Sequence, residues 1–375
     1  MCPKPNRSTF GKSRCRASQN RYASLSLRIT AGNPRGGGAD FQLMIDHNFY
    51  HDIISLNNLY YAWGEFVRGK KYKKDVTEFA LNLSGNIIKL HHELMAKSYI
   101  HGHYKQFSIS DPKPRIIHKA LVRDRLLHHA IYRILYIHFE RRFIYDSYSC
   151  RIAKGTHRAL NRFKHFTNKV SESNSRTCWV LKCDVRKFFA SIDQSILLKI
   201  FSRHILDLDT NWLIGRVVKS FNSGKEGEGL PLGNLTSQLL VNVYMNEFDQ
   251  FVKHKLKVRY YVRYADDFVV MSHDREELLK LLPLINQFLK QELKLDLHPQ
   301  KVSIETLTSG IDFLGWVHFP DHRVLRTTTK KRMWQGLRQS GGKEEVVQSY
   351  LGFLSHGNAY KLQQEVKNLI LQMVQ

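Results

Sequence analysis

Two adjacent aspartates, Asp266 and Asp267, lie between two short runs that are rich in β-branched and aromatic residues, residues 258–263 and 268–271. Such runs, joined by a tight polar turn, predict a β-hairpin with two carboxylates at its tip. Adjacent carboxylates on a rigid turn repel each other unless a cation neutralises them. Mg²⁺ is the best candidate, because it prefers carboxylate, phosphate and water oxygens. A solvated Asp-Asp turn is the plain alternative.

The charge of the chain indicates a polyanionic partner. Its 375 residues include 58 Lys and Arg against 33 Asp and Glu, a formal net charge of +25. This excess favours nucleic acid first and an anionic membrane surface only a distant second. Apolar runs such as residues 239–241 are broken within a few positions, so we expect no membrane span. The first forty residues lack the apolar segment of a secretory signal.

Cysteine and histidine usage predicts no structural metal site and no disulfide framework. The five cysteines are odd in number and contain no CxxC pair, which favours a reducing cytoplasm. Among the 19 histidines, the clusters at residues 91–93 and 101–103 have no metal-ligand spacing. We expect these histidines to be surface-exposed, RNA-facing or hydrogen-bonded within the protein.

Composition changes sharply after the first 43 residues. Residues 1–43 contain eight Lys or Arg and one acid, Asp40, and are predicted to be a disordered basic arm. Alternatively, Met44 is the natural start. Apolar residues then recur at helical spacing or in strand-like runs. Two or three helices are predicted over residues 56–97, and further helices over 123–143, 195–204, 235–257, 276–293 and the segment from 323 onward. A hairpin is predicted around Pro112 and Pro114. Strands are predicted at 177–185 and 311–319. This mixture predicts an α+β fold with helices on one face of a sheet.

A second acid, Asp184, ends the predicted strand 177–185, some eighty residues before the hairpin. A two-metal clamp for phosphoryl transfer needs acids from separate segments to meet, with the ions about 3.5–4 Å apart. Asp184 and Asp266 satisfy this pattern. Alternatively, Asp184 caps the turn into the next helix.

With these acids in place, the chain resembles the reverse transcriptases from about residue 107 to residue 361. The resemblance rests on several blocks in the right order. They are residues 115–118 with 123–125, 147–157, 184–189, 229–238, 264–267, 298–301 and 313–316.

The resemblance implies an α+β right-hand polymerase fold with fingers, a palm built on an antiparallel sheet and a short helical thumb. It divides the chain into N-terminal helices and fingers at 44–176, a palm at 177–319 with helices interleaved at 195–257, and a basic thumb at 320–375. A bacterial, archaeal or phage-encoded cytoplasmic enzyme is expected.

Several site roles follow from the same resemblance. Asp184 and Asp266 would ligate two Mg²⁺ ions, for which Mn²⁺ is a possible substitute, with the Val185 carbonyl contributing and Asp267 assisting. Lys301 resembles the lysine proposed to protonate departing pyrophosphate, a general-acid role. Its plain alternative is a solvated loop charge.

The remaining expected roles concern nucleotide and nucleic acid. Arg115 would contact the triphosphate through its guanidinium fork. Phe189 would exclude a ribose 2′-hydroxyl. Without the resemblance, Arg115 would be interpreted as a surface charge and Phe189 as a core aromatic residue. The template and nucleotide block contributes Leu232, Gly233, Ser237 and Gln238. The primer grip is expected at Leu314, Gly315 and Trp316. Nucleic-acid contacts are expected from Arg151, Lys154, Arg326, Lys330, Lys331 and Arg332.

The block at residues 232–238 departs from the usual Gln-Gly-x-x-x-Ser-Pro, because Leu232 stands in place of the glutamine. Losing this amide should weaken discrimination in the pocket. Together with residues 349–358, the change resembles reverse transcriptases of diversity-generating retroelements, which copy a template-repeat RNA unfaithfully at adenines. Template RNA, nascent cDNA, dNTPs and a small basic accessory protein would be the partners. Phage-defence reverse transcriptases, a group II intron enzyme and a non-enzymatic RNA-binding protein remain the alternatives.

Overall fold

Four helices open the part of the chain that the computed structural model describes, residues 48–109 and 115–374. The predicted basic arm, residues 1–43, and the turn at Pro112 and Pro114 lie outside the described residues. The first helices are α1 Phe49–Ile54, α2 Leu56–Phe66, α3 Lys74–Leu81 and α4 Leu83–Met95. Ser55 caps α2 by accepting a hydrogen bond from the Asn58 N–H. The helical spacing of residues 56–97 is therefore confirmed.

A hairpin and a long helix follow. Strands β1 Lys105–Ile109 and β2 Arg115–Lys119 pair antiparallel, which confirms the predicted hairpin. Helix α5 Val122–Glu140 packs on α2, where the Asn58 amide donates to the Ala130 carbonyl at 3.2 Å. The hairpin is therefore followed by a helix, α5, that is packed against α2.

The next segment contains two helices that the apolar spacing did not identify, α6 Thr156–Val170 and α8 Leu208–Lys219. The other elements are strand β3 Trp179–Asp184 and helices α7 Gln194–His204 and α9 Leu235–Gln250. The long helix predicted over 235–257 changes to π-type hydrogen bonding over Phe251–Lys255 and ends there.

The central sheet consists of four antiparallel strands in the order β4-β5-β3-β6. The added elements are β4 Tyr261–Tyr264, β5 Asp267–Ser272, helix α10 Arg275–Leu293 and β6 Ser303–Thr306. Strands β4 and β5 form the hairpin that the apolar runs predicted. The pairing of β3 with β5 sets Asp184 opposite Asp267, so both acids end at the same edge of the sheet.

Both faces of this sheet are covered, so the expectation of helices on one face was wrong. Leu181 and Phe268 pack into a core with residues of α5, α7, α9 and α10. Val180 and Val269 point the other way, into a second core with α6 and the C-terminal helices. Neighbouring positions on each strand are apolar, and a strand that is apolar on both sides must be buried on both sides.

The C-terminal part begins with a small sheet of β7 Ile311–Phe313, β8 Trp316–His318 and β9 Arg323–Leu325. The single strand predicted over 311–319 was wrong, because Leu314 and Gly315 have φ of +51° and +86° and reverse the chain. Three helices follow, α11 Thr327–Gln339, α12 Glu344–Leu354 and α13 Tyr360–Val374. They confirm the helical C-terminal segment from residue 327, whereas residues 323–325, predicted as helical, form β9 instead.

These elements give the predicted α+β fold with an antiparallel palm sheet. The boundaries proposed for fingers, palm and thumb stay predictions. No helix in the described residues has the length and apolarity needed to cross a membrane.

Gly357 offers a test of how tightly the C-terminal helices pack on the small sheet. A Cβ at this position would overlap the indole ring of Trp316, which is fully buried. We expect Gly357→Ala to lower the free energy of unfolding by about 1–3 kcal/mol, measured by urea denaturation. Gly352→Ala is the matched control, since a Cβ there meets nothing within 4 Å. Equal stability of the two variants would contradict this packing.

Candidate active site

Three carboxylates meet at one end of the central sheet. Asp184 is the last residue of β3 and lies opposite Asp267, the first residue of β5. Ala265, with φ +56°, makes the tight turn that places Asp266 beside them. The Asp266 carbonyl accepts a hydrogen bond from the Val185 N–H at 3.3 Å, which joins the turn to the end of β3. The structure therefore brings together the acids that the two sequence segments predict.

Burial and mutual repulsion disfavour the charged forms of Asp266 and Asp267. Burial, followed by the charges of Asp266 and Asp184, raises the pKa of Asp267 to about 7. The pKa of Asp266 is also raised, first by burial and then by Asp184, although Lys301 and Arg115 act to lower it. A site that holds like charges this close favours binding of a cation.

Lys301 supplies one positive charge to this cluster. Its Nζ lies 2.8 Å from Asp184 Oδ1. The loop that carries it is fixed by two backbone hydrogen bonds, from the His298 N–H to the Asp184 carbonyl at 2.8 Å and from the Lys301 N–H to the His298 carbonyl at 2.9 Å. The same main chain that ends β3 thus positions the predicted lysine.

A buried ion pair behind the turn was missed from the sequence. Arg263 donates to Asp249 from Nε at 2.7 Å and from Nη2 at 2.6 Å, and both side chains are almost fully buried. Tyr261 donates to the same carboxylate at 2.8 Å. Arg263 Nη1 donates to the carbonyl of Ala265 at 3.1 Å. The guanidinium therefore connects the acidic turn directly to α9.

The sequence contained a signal for this pair. Arg263 is a charged residue in the apolar strand before the turn, and Asp249 lies near the end of a largely apolar helix. Burial acts to lower the pKa of Arg263, but Asp249 outweighs it and the pKa is raised. Sequence alone places the two residues 14 positions apart with no shared periodicity.

The fingers strand β2 lies directly against the template and nucleotide block. The His118 N–H donates to the Leu232 carbonyl at 3.0 Å, and the Asn234 amide donates back to the His118 carbonyl at 3.0 Å. Arg115, on the same strand, is close enough to lower the pKa of Asp266. The Phe189 carbonyl accepts from the Leu230 N–H at 2.8 Å. These bonds place Leu232 against β2, the strand that carries Arg115, and join Phe189 to Leu230 in the same block.

The other two residues of the block lie deeper in the protein. Ser237 is buried in the first turn of α9, and Gln238 is half-buried one position later. Gly233 is exposed and has φ +101°, and a Cβ there would press on Ile117 of β2. This close approach explains why a glycine follows Leu232.

The predicted primer grip is a tight turn with a buried anchor. Leu314 and Gly315 form the tip of the β7–β8 hairpin and are partly exposed. Trp316 is fully buried and packs its ring 5.3 Å from that of Phe353. Leu314 and Gly315 are the part of this loop available to a nucleic acid.

Two of the arginines expected to contact nucleic acid are held in ion pairs within the protein. The Arg151 side chain is only 4% exposed and binds Glu140 from Nε and Nη2, so its expected role is corrected to a structural one. Arg326 binds Asp312 from Nη1 at 2.8 Å. Lys154 donates to the Tyr145 carbonyl at 2.8 Å. The thumb residues Lys330, Lys331 and Arg332 make no ion pair with another described residue.

The donor set of the acidic cluster fits a hard divalent cation. Mg²⁺ in enzymes is usually held by one or two carboxylates together with phosphate oxygens and water. Asp184, Asp266 and Asp267 supply such oxygens from adjacent strands. No three His, Cys, Asp or Glu side chains in the described part of the chain form a metal cage by themselves. Completing the coordination therefore falls to substrate and solvent oxygens.

Comparison with known proteins agrees with this geometry. The family described as "Reverse transcriptase (RNA-dependent DNA polymerase)" matches residues 109–318, more than half of the chain. The chain belongs to the reverse transcriptase family. The matched segment contains the three acids, Lys301 and the turn predicted to be the primer grip.

The curated relatives are distant. Protein YkfC of Escherichia coli (strain K12) is 24% identical over 282 residues, covering 64% of this chain and 72% of its own. The group II intron-encoded protein LtrA of Lactococcus lactis subsp. cremoris is 25% identical over 276 residues, covering 56% of this chain but 44% of LtrA. A telomerase from Candida albicans, solved with a TWJ fragment of telomeric RNA, is 12% identical with a TM-score of 0.46, over 66% and 51% of the two chains.

Removing one partner of the buried ion pair tests its support of the turn. We expect Asp249→Ala to lower the free energy of unfolding by about 3–5 kcal/mol, because the Arg263 charge is then buried without a partner. Chemical denaturation measures this loss. In Glu78→Ala the lost pair with Lys74 is exposed, so that control should change stability by less than about 1 kcal/mol. Similar losses in both variants would show that the buried pair does not support the fold.

Proposed function

We propose that this protein is an RNA-directed DNA polymerase that extends a primer with dNTPs by a two-metal mechanism. The observation that carries the proposal is the meeting of Asp184, Asp266 and Asp267 at one sheet edge, with Arg115 close enough to act on Asp266. One buried and two half-buried acids beside a cation from strand β2 suit the binding of a metal-bound triphosphate.

In this proposal Asp184 and Asp266 hold two Mg²⁺ ions, with the Val185 carbonyl and Asp267 assisting, and Mn²⁺ is a possible substitute. When bound, the metal neutralises charge on the triphosphate and on the attacking oxygen. The primer 3′-hydroxyl loses its proton to solvent as its oxygen bonds to the α-phosphorus and the bond to pyrophosphate breaks. Arg115 binds the triphosphate through paired guanidinium N–H groups.

Lys301 and Phe189 take two further roles in the proposal. Lys301 Nζ gives a proton to the departing pyrophosphate, after its contact with Asp184 is released. Phe189 is half-buried, and its backbone is bonded to Leu230 near the nucleotide block. An aromatic ring held there suits exclusion of a ribose 2′-hydroxyl.

Asp266→Asn tests the metal site. We expect Mg²⁺-dependent dNTP incorporation to fall by about three orders of magnitude or more, while RNA binding survives, because a metal-binding charge is lost without a change of shape. Primer extension on a defined RNA template measures incorporation, and a filter-binding assay measures RNA affinity. Asp296→Asn removes an exposed carboxylate and serves as the control. Retained synthesis by Asp266→Asn would refute the metal assignment.

For the biological role, we propose error-prone copying of a template-repeat RNA in a diversity-generating retroelement. The supporting observation is Leu232, which is half-buried in the loop that hydrogen-bonds to β2. Its apolar side chain offers no hydrogen bond where related enzymes have an amide. The likeness to LtrA supports an intron-type enzyme as the second candidate, and a phage-defence enzyme shares the same chemistry. A template repeat and a variable repeat beside the gene would favour diversity generation.

Leu232→Gln tests this role. We expect misincorporation opposite template adenine to fall by roughly tenfold, because the restored amide adds a polar contact that separates correct from incorrect transition states. Sequencing of cDNA made on a defined RNA measures the error spectrum. Leu232→Ile keeps the side chain apolar and should leave that spectrum unchanged. An identical spectrum for Leu232→Gln and the unaltered protein would exclude this explanation.

A further inference from the structure

One face of α6 carries a stripe of basic residues. Arg158, Arg162, His165 and Lys169 recur at intervals of four, three and four positions, so they lie on the same side of the helix. The stripe is about 16 Å long at 1.5 Å per residue. Arg158, His165 and Lys169 are exposed, and α6 contains no acidic residue.

A second basic element lies between α9 and β4. Residues 250–265 contain no acid. Lys255, Lys257 and Arg259 are exposed, whereas the Lys253 ammonium is used internally, donating to the Val258 and Arg259 carbonyls at 3.0 Å each. The internal bonds of Lys253 give this short segment a defined shape.

Aromatic rings join the two elements into one surface. The Arg162 guanidinium lies over the ring of Phe166 at 4.2 Å. Phe166 meets Tyr260 edge-on at 5.3 Å, and the Arg259 guanidinium lies over Tyr260 at 5.4 Å. Residues 158–169 of α6 and residues 253–260 are called the basic flank below.

The basic flank is poorly neutralised by the protein itself. Its one ion pair among described residues joins Arg162 Nε to Asp146 Oδ1 at 2.7 Å, and Asp146 is buried. The remaining exposed cations make no ion pair with any residue that the structure describes. These unpaired Lys and Arg residues are Arg158, Lys164, Lys169, Lys255, Lys257 and Arg259. Burial, and in smaller part Arg162, lowers the pKa of Lys253, so the two elements are close enough to repel.

The flank is separated from the acidic turn. Tyr260 precedes β4 and Asp266 follows it, so the strand leads away from the catalytic end for roughly 15–20 Å at about 3.3 Å per residue. The N-terminus of α6 is the nearer end, where Thr156 donates to the Tyr264 hydroxyl at 3.1 Å. A strand bound at the acids would have to continue past the copied position to reach Lys169 and Arg259.

We propose that the basic flank binds the phosphate backbone of RNA outside the strand segment being copied. Cations at one per helical turn, interleaved with aromatic rings, match a polyphosphate better than a carboxylate-bearing protein surface. The flank exposes few large apolar side chains of the kind that insert into a membrane interface. The identity of the polymer as RNA rests on the proposed function.

Charge-neutral variants of the full chain test the proposal. The first variant combines Lys255→Gln, Lys257→Gln and Arg259→Gln, and an independent second variant combines Arg158→Gln and Lys169→Gln. The control removes three exposed lysines elsewhere through Lys89→Gln, Lys280→Gln and Lys290→Gln. The affinity of each for a long structured RNA is measured against salt concentration. Thermal unfolding confirms that each variant is folded.

Each lost phosphate contact should reduce the salt slope by about 0.7–0.9. We expect the slope to fall by about 2–3 in the first variant and by about 1–2 in the second, and to stay near its original value in the control. Primer extension is measured in parallel on the long RNA and on a short primer–template duplex. The ratio of long-RNA to short-duplex extension should fall in both flank variants.

Two outcomes would overturn the proposal. One is a salt slope in the flank variants that equals that of the control. The other is unchanged RNA affinity with lost binding to vesicles that contain anionic lipid, which would reassign the flank to a membrane surface. If the unaltered protein extends no primer while the flank variants still lose salt slope, the flank proposal stands and the proposed polymerase function fails.

Discussion

The mutual repulsion of Asp184, Asp266 and Asp267 is the constraint on which the rest of the site depends. Partial burial and neighbouring carboxylates raise the pKa of Asp266 and Asp267, so the folded chain must hold the acids against their own electrostatic preference. It does so with backbone register, since β3 and β5 pair Asp184 with Asp267, and with the Arg263 guanidinium, which donates to the turn at the Ala265 carbonyl. Like charges held together in this way favour the binding of a cation, which is the role given to them in the proposed function.

The same support connects the acids to the nucleotide pocket. Arg263 joins the turn to Asp249 of α9, and the loop before α9 is hydrogen-bonded to β2 through His118 and Leu232. A shift of α9 would therefore move the acidic turn and the pocket wall together. This coupling ties the position of Arg115 to that of the acids, as transfer of a metal-bound phosphoryl group requires. It also means that Leu232, in place of the usual glutamine, changes a side chain of this loop but leaves the backbone hydrogen bonds of the loop intact.

The spacing of apolar and polar residues predicted much of this structure, because it reflects interactions between residues that are close together in the sequence. The hairpin around Asp266, the strand ending in Asp184 and the helices over 56–97 all follow from residue spacing. Contacts between residues that are far apart in the sequence could not be predicted from this spacing. The ion pair of Arg263 with Asp249 joins different elements, and the burial of Trp316 depends on Gly357 and Phe353, which lie in the C-terminal helical segment. The second covered face of the sheet was missed because α6 was not recognised as a helix.

The basic residues show why a charge count alone overestimates contacts with nucleic acid. Arg263 and Arg151 are almost fully buried in ion pairs, and Arg326 is bound to Asp312, so their charges are already neutralised. Lys330 and Arg259 have the same formal charge but no described acidic partner. Among the described residues, cations without an acidic partner are thus the ones available to a polyanion. If the expected small basic accessory protein binds this chain, RNA lying between the two proteins would offset the repulsion between their positive surfaces.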